Sequence, residues 1–136
     1  MRVAVLAAVV VLADTCPLTG PNGTLATGTW GGENAGVIVT DTLMHVHNGC
    51  TYGNAPRPTL TGGRFEVTGV HNITAHPVDL GILHPARFTG RVRGNRMTLT
   101  VTLTDTSVTL GPVSVELGVE PRMGPCPICR SPASDR

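Results

Sequence analysis

The chain predicts an all-β fold: an antiparallel meander of six to eight strands closed into a small barrel, with a β-sandwich as the alternative. Three observations carry this expectation. Met97, Leu99, Val101 and Leu103 alternate with Thr98, Thr100, Thr102 and Thr104, a strict period of two. The sequence contains 17 Gly and 11 Pro, which punctuate it with turn signals. No long window carries apolar residues at helical spacing. Closure is favoured over an open sheet because it removes exposed strand edges.

The length of 136 residues suits one domain. Charged residues are 14% and the net charge is +1, so no long-range field steers the chain to nucleic acid or a membrane surface. All ten basic residues are arginine. Trp30, Tyr52, Phe65 and Phe88 do not interleave with the arginines, as a single-strand nucleic-acid platform would require.

Residues 1–13 read as a signal peptide: Met1-Arg2, then an apolar run from Val3 to Ala13, too short to span a bilayer. The chain is therefore expected to be exported, periplasmic or secreted, without a transmembrane span. Cys16 is a candidate for lipid attachment, although Asp14-Thr15 is a poor approach to a lipidated cysteine. Residues 14–26 read as a linker rich in Pro, Gly, Asn and Thr. The barrel domain is expected over 27–120 and a Pro- and Cys-rich tail over 121–136.

Within the domain, Thr29 to Asp41 reads as one long strand bent at Gly31-Gly32. Thr42 to Cys50 is a second strand, with Met44 and Val46 on one face and Leu43, His45 and His47 on the other. Asn54 to Gly63 reads as a rim loop, and Arg64 to Thr74 as a third strand with Phe65 and Val67 facing in. Ala75 to Pro85 carries two His-Pro pairs and reads as a second rim loop. Ala86 to Leu103 is a hairpin about Gly94-Asn95, with Arg93 opposite Arg96, Val92 opposite Met97, Gly90 opposite Leu99 and Phe88 opposite Val101. That register puts every apolar residue on one face. After it, the apolar parity switches between Leu110 and Val113, which places a β-bulge at Gly111-Pro112. An outer-membrane barrel is disfavoured because the outward positions are Thr and Arg rather than apolar.

From Thr27 onward the chain resembles a group of small, exported, uncharacterised bacterial β proteins. The resemblance rests on Gly28-Thr-Trp-Gly-Gly-Glu33, Gly63-Arg-Phe65, Pro85 to Gly94, Met97 to Thr104, and Pro121-Arg122 before Cys126. It implies export and a β fold but no mechanism. In that group a cysteine after the second strand and one near the end recur, which implies a Cys50–Cys126 disulfide; Cys129 is an addition, either free or paired with Cys16. Separately, Gly28-Thr-Trp30 is similar to the Gly-x-Trp that opens lipocalin-like and avidin-like barrels.

Candidate chemistry is sparse. His45-Val-His47 projects two imidazoles from one strand face about 7 Å apart, a metal-ligand spacing, but the pair reads more simply as solvent-facing. Cys126-Pro-Ile-Cys129 is half of a zinc knuckle that Cys16 and Cys50 could complete; disulfides are the simpler use of cysteine in an exported chain. Arg87, Arg91 and Arg93 line one strand face, with Arg96 across the turn, and could contact an anion; the alternative is a solvated face. The acids are dispersed and no serine sits in a nucleophile motif, so no enzyme and no cofactor is expected. The function expected is non-catalytic binding or structure at the cell envelope or outside it, toward an envelope or extracellular protein or a small molecule. The alternative is a metal-binding protein or enzyme built on His45 and His47 or on the cysteines. The inward faces look fully packed, so binding is expected on the outer face or the rim.

Overall fold

The structure is a computed structural model that describes residues 22–75 and 77–126. The signal-peptide expectation, Cys16 and Cys129 lie outside the described residues. Among the described residues ten strands run in chain order: β1 (Gly23–Thr24), β2 (Gly28–Gly32), β3 (Ala35–Val39), β4 (Leu43–Asn48), β5 (Thr51–Pro56), β6 (Thr59–Leu60), β7 (Arg64–Asn72), β8 (His84–Arg93), β9 (Arg96–Leu103) and β10 (Thr109–Leu117). Eight of them form a closed antiparallel barrel in the order β10-β2-β3-β4-β5-β7-β8-β9. The remaining two, β1 and β6, pair as a small separate sheet. The fold is the expected barrel, not a sandwich.

The β8–β9 hairpin has the register read from its alternation, including Arg93 opposite Arg96 and Phe88 opposite Val101. The β9–β10 ladder shifts register between Leu110 and Val113, where the bulge was expected. Inward positions converge on one core in which Trp30, Phe88, Met44, Met97, Leu99 and Leu103 are fully buried. Gly90 is part of that packing. The Phe65 ring lies across its Cα, where any side chain on β8 would collide with it.

Two segments differ from the expected layout. Residues 29–41 are not one bent strand but a hairpin, β2–β3, whose turn residue Asn34 adopts φ +54°. Asn54 to Pro56, expected to open the rim loop, belong instead to β5, which pairs with both β4 and β7. Its inward positions are Gly53 and Ala55, so no large apolar residue marks it as a strand. Within the segment read as a linker, β1 pairs with β6 and Leu25 is fully buried beside Leu60. Leu25 donates its N–H to Pro58 O at 3.0 Å, and Arg57 Nε donates to Leu25 O at 2.7 Å. These contacts cover the barrel end at which β2 and β7 begin.

Beyond β10 the chain folds back along the wall as a strap. Arg122 N–H donates to Gly32 O and Asn34 N–H to Arg122 O, so the strap extends the edge of β2. Gly31 and Gly36 are cross-strand partners facing outward. Val119 O lies against Gly31, and the Pro121 ring lies against Gly36. The Gly-rich opening motif is thus a smooth track for the strap. The Cys50–Cys126 disulfide, with a Cα–Cα distance of 5.5 Å, pins the strap's far end to the β4–β5 turn, as the resemblance implied.

Candidate functional site: an arginine-rich outer wall

Parity fixes which arginines share the outer wall. Phe65, Gly90, Leu99 and Val113 face in, so Arg64, Arg91, Arg93 and Arg96 on the adjoining strands face out. Arg64 pairs directly with Arg91, and Arg93 with Arg96. All four side chains are exposed. Among the described residues none of the four makes an ion pair, since the carboxylate–arginine pairs are Arg87–Glu66 at 3.4 Å and Arg122–Glu33 at 3.0 Å. Like charges placed directly opposite on a sheet destabilise it. Glu116, the direct β10 partner of Arg96, and Glu33 line the same wall, so four arginines there face two carboxylates and the balance is positive but partly offset.

A concavity of about 630 Å³ opens on the same wall. Half-buried Gly32, and Gly31 buried beneath the strap at Val119, lie among its lining. One bank carries Arg91, Arg93 and Arg96 with Glu116 opposite Arg96, and the other carries the pair between Glu33 at the β2–β3 turn and Arg122 on the strap. A guanidinium presents a fork of N–H donors that matches phosphate or carboxylate oxygens two at a time. A second, shallower depression of about 310 Å³ continues along the wall between Arg64, Arg91 and Thr100.

The arginines singled out from sequence divide accordingly. Arg91 and Arg93 line the groove. Arg87 shares the face but pairs with Glu66. Arg64 and Arg122 were not singled out from sequence. The parity of β7 relative to β8 would have found Arg64, whereas Arg122 reaches the groove only through the fold-back of the strap.

The histidines lie elsewhere on the barrel. His45 and His47 both face outward from β4, with His45 half-buried and His47 exposed. His45 Nδ1 is 2.6 Å from Asn54 Oδ1, which only accepts, so Nδ1 carries the proton. His45 Nε2 then has a free lone pair, and His47 Nε2 donates to it at 2.9 Å. Burial, and then the charge of neighbouring His45, hold the His47 pKa below its ordinary value. His71, of the same inward parity as Phe65, is fully buried against Phe88. Its Nε2 bonds Thr51 Oγ1 at 2.8 Å, while Nδ1 has no partner and rests on the bare Cα of Gly53. Burial, helped by the charges of His47 and His45, lowers its pKa to about 4.

The β7–β8 connection is organised by Asn72, which donates to Asp79 Oδ1 and to Tyr52 OH and accepts from Thr74 N–H. Tyr52 OH in turn donates to Asp79 Oδ2 at 2.9 Å. Asp105 pairs with His84 at 2.8 Å. Cys126 is engaged in the disulfide, which removes it from the zinc half-site considered with Cys129. No family model, no curated protein and no solved structure matches the chain.

Proposed function

We propose that the protein is an exported, non-catalytic binding module that takes an anionic ligand on its outer wall. The observation that carries this reading is the set of outward arginines Arg64, Arg91, Arg93 and Arg96, none in an ion pair among the described residues, along a groove where arginines outnumber Glu33 and Glu116. Guanidinium groups set opposite one another across the strands, next to a concave surface, suit recognition of phosphate, sulfate or carboxylate groups. The barrel interior offers no comparable place, because its inward positions are filled by side chains. Export is supported by the leading apolar run and by the Cys50–Cys126 disulfide, a bond that persists in oxidising compartments.

Titration of the full chain with inorganic pyrophosphate by calorimetry tests the binding reading. One-to-one binding is expected, weakened by added salt because the groove is open to solvent. Arg91→Ala and Arg93→Ala should each reduce affinity about tenfold or more, the value of a hydrogen bond to a charged group. Binding that is absent, or indifferent to both substitutions, would defeat it. Fractionation of cells expressing the chain tests export, and retention of the unprocessed protein in the cytosol would remove that part of the reading.

A further inference from the structure

We propose that His45 and His47 form a chelating site for a late first-row transition-metal dication, with copper(II) as the preferred ion. This inference is independent of the anion-binding wall. It rests on three features of the pair: the spacing of the two ring nitrogens, the fixed tautomer of His45, and solvent access.

The spacing is metric. Two imidazole nitrogens bound to one metal at about 2.0–2.1 Å stand about 2.9 Å apart when the angle at the metal is 90°, and about 3.3–3.4 Å apart at the tetrahedral angle. His45 Nε2 and His47 Nε2 are 2.9 Å apart. The two nitrogens, now joined by a hydrogen bond, already stand within a few tenths of an ångström of the separation that adjacent ligand positions of one metal require. Strand β4 puts the two residues on one face about 7 Å apart along the backbone, and the side chains lean together to close the ring nitrogens to 2.9 Å.

Protonation is equally prepared. Asn54 accepts from His45 Nδ1–H at 2.6 Å, which holds the His45 lone pair on Nε2 and fixes the ring plane. Metal ligands are commonly oriented by such an outer hydrogen bond. On metal binding, the proton that His47 Nε2 donates to His45 moves to His47 Nδ1 by exchange with solvent. The two nitrogens then face the ion with no net proton released. Asn54 is the direct cross-strand partner of His45 on β5, so the supporting residue is as firmly placed as the ligand. Among the described residues no third His, Cys, Asp or Glu joins the pair in a ligand group, so water completes the coordination. With exposed His47 as one ligand, the open positions face solvent. The affinity order of nitrogen sites, in which copper(II) exceeds nickel(II) and zinc(II), selects the ion.

Titrating the full chain with copper(II), read by calorimetry and electron paramagnetic resonance, tests the site. The expected result is a one-to-one complex with hyperfine coupling from two imidazole nitrogens. Both Nε2 ligands are needed, so His45→Ala and His47→Ala should each abolish that two-nitrogen signal. Asn54→Ala, which leaves both ligands in place, should weaken binding about 10- to 100-fold, as loss of a supporting hydrogen bond does elsewhere. His84→Ala should leave binding unchanged, and circular dichroism establishes that each variant is folded. Retention of the two-nitrogen signal in folded His45→Ala/His47→Ala protein would overturn the proposal, as would failure of the parent chain to bind.

Discussion

Arg64 and Arg91 are direct cross-strand partners on the outer wall, and neither makes an ion pair among the described residues. Opposed like charges on a sheet cost up to about 1 kcal/mol. Arg64→Thr or Arg91→Thr should therefore leave stability unchanged or raise it by about 0.2–1 kcal/mol at low salt, and the gain should fade as salt screens the pair. Urea denaturation at two ionic strengths reads both effects. A clear loss of stability in either variant would mean that the arginines serve the fold.

The hairpin register separates two faces by consequence. Leu99 and Val101 are buried, whereas Thr100 lies between them on the outer face. Leu99→Ala should destabilise by about 2–4 kcal/mol through lost burial and a cavity, with Val101→Ala toward the lower end. Thr100→Ala should cost under about 1 kcal/mol. Equal losses from the two faces in chemical denaturation would contradict this register.

The Cys50–Cys126 bridge closes a loop with a sequence separation of 76. On the chain-entropy model such closure contributes about 4–5 kcal/mol. Replacing both cysteines with alanine should lower stability by up to that amount and free the strap from the β4–β5 turn. Non-reducing peptide mapping gives the pairing directly, and a Cys126–Cys129 bridge would contradict it.

His71 predicts a pH dependence with a definite sign. Its folded pKa, about 4, lies below the ordinary value of 6.5, so the unfolded chain takes up the proton first as pH falls. Its contribution is complete above about pH 6.5 and is lost progressively toward pH 4, by at most about 3 kcal/mol. The groups around it are Thr51, Gly53 and Phe88, with His45 and His47 adding positive charge as they protonate. Denaturation at pH 7.5 and 4.5 should show a smaller drop in His71→Leu than in the parent, whereas equal drops would assign the acid lability elsewhere.

What the sequence disclosed follows from how side-chain size tracks the sheet. Residues 86–103 alternate large apolar with polar residues, so strand, register and turn were all legible. The strand β5 was not, because its inward positions are Gly53 and Ala55. Gly53 is small because the His71 imidazole lies on it, and Gly69 has no room for a side chain because the β5 backbone and Ala55 crowd it. The β2–β3 hairpin was hidden because Glu33-Asn34 is a weaker turn signal than the Gly94-Asn95 of the β8–β9 hairpin. Arg91 and Arg93 could be placed on one face from sequence. That Arg122 joins them depends on a strap held by Gly31, Gly36 and a disulfide, a long-range relation that no local pattern encodes.

The most direct measurement is an NMR titration of the protein with inorganic pyrophosphate, following arginine Nε–H and glycine amide resonances. An anion site on this wall requires saturable shifts at Arg91, Arg93, Arg96, Gly31 and Gly32, with Arg57, between β5 and β6, unmoved. Shifts absent from these groups, or spread evenly over all the arginines, would contradict it.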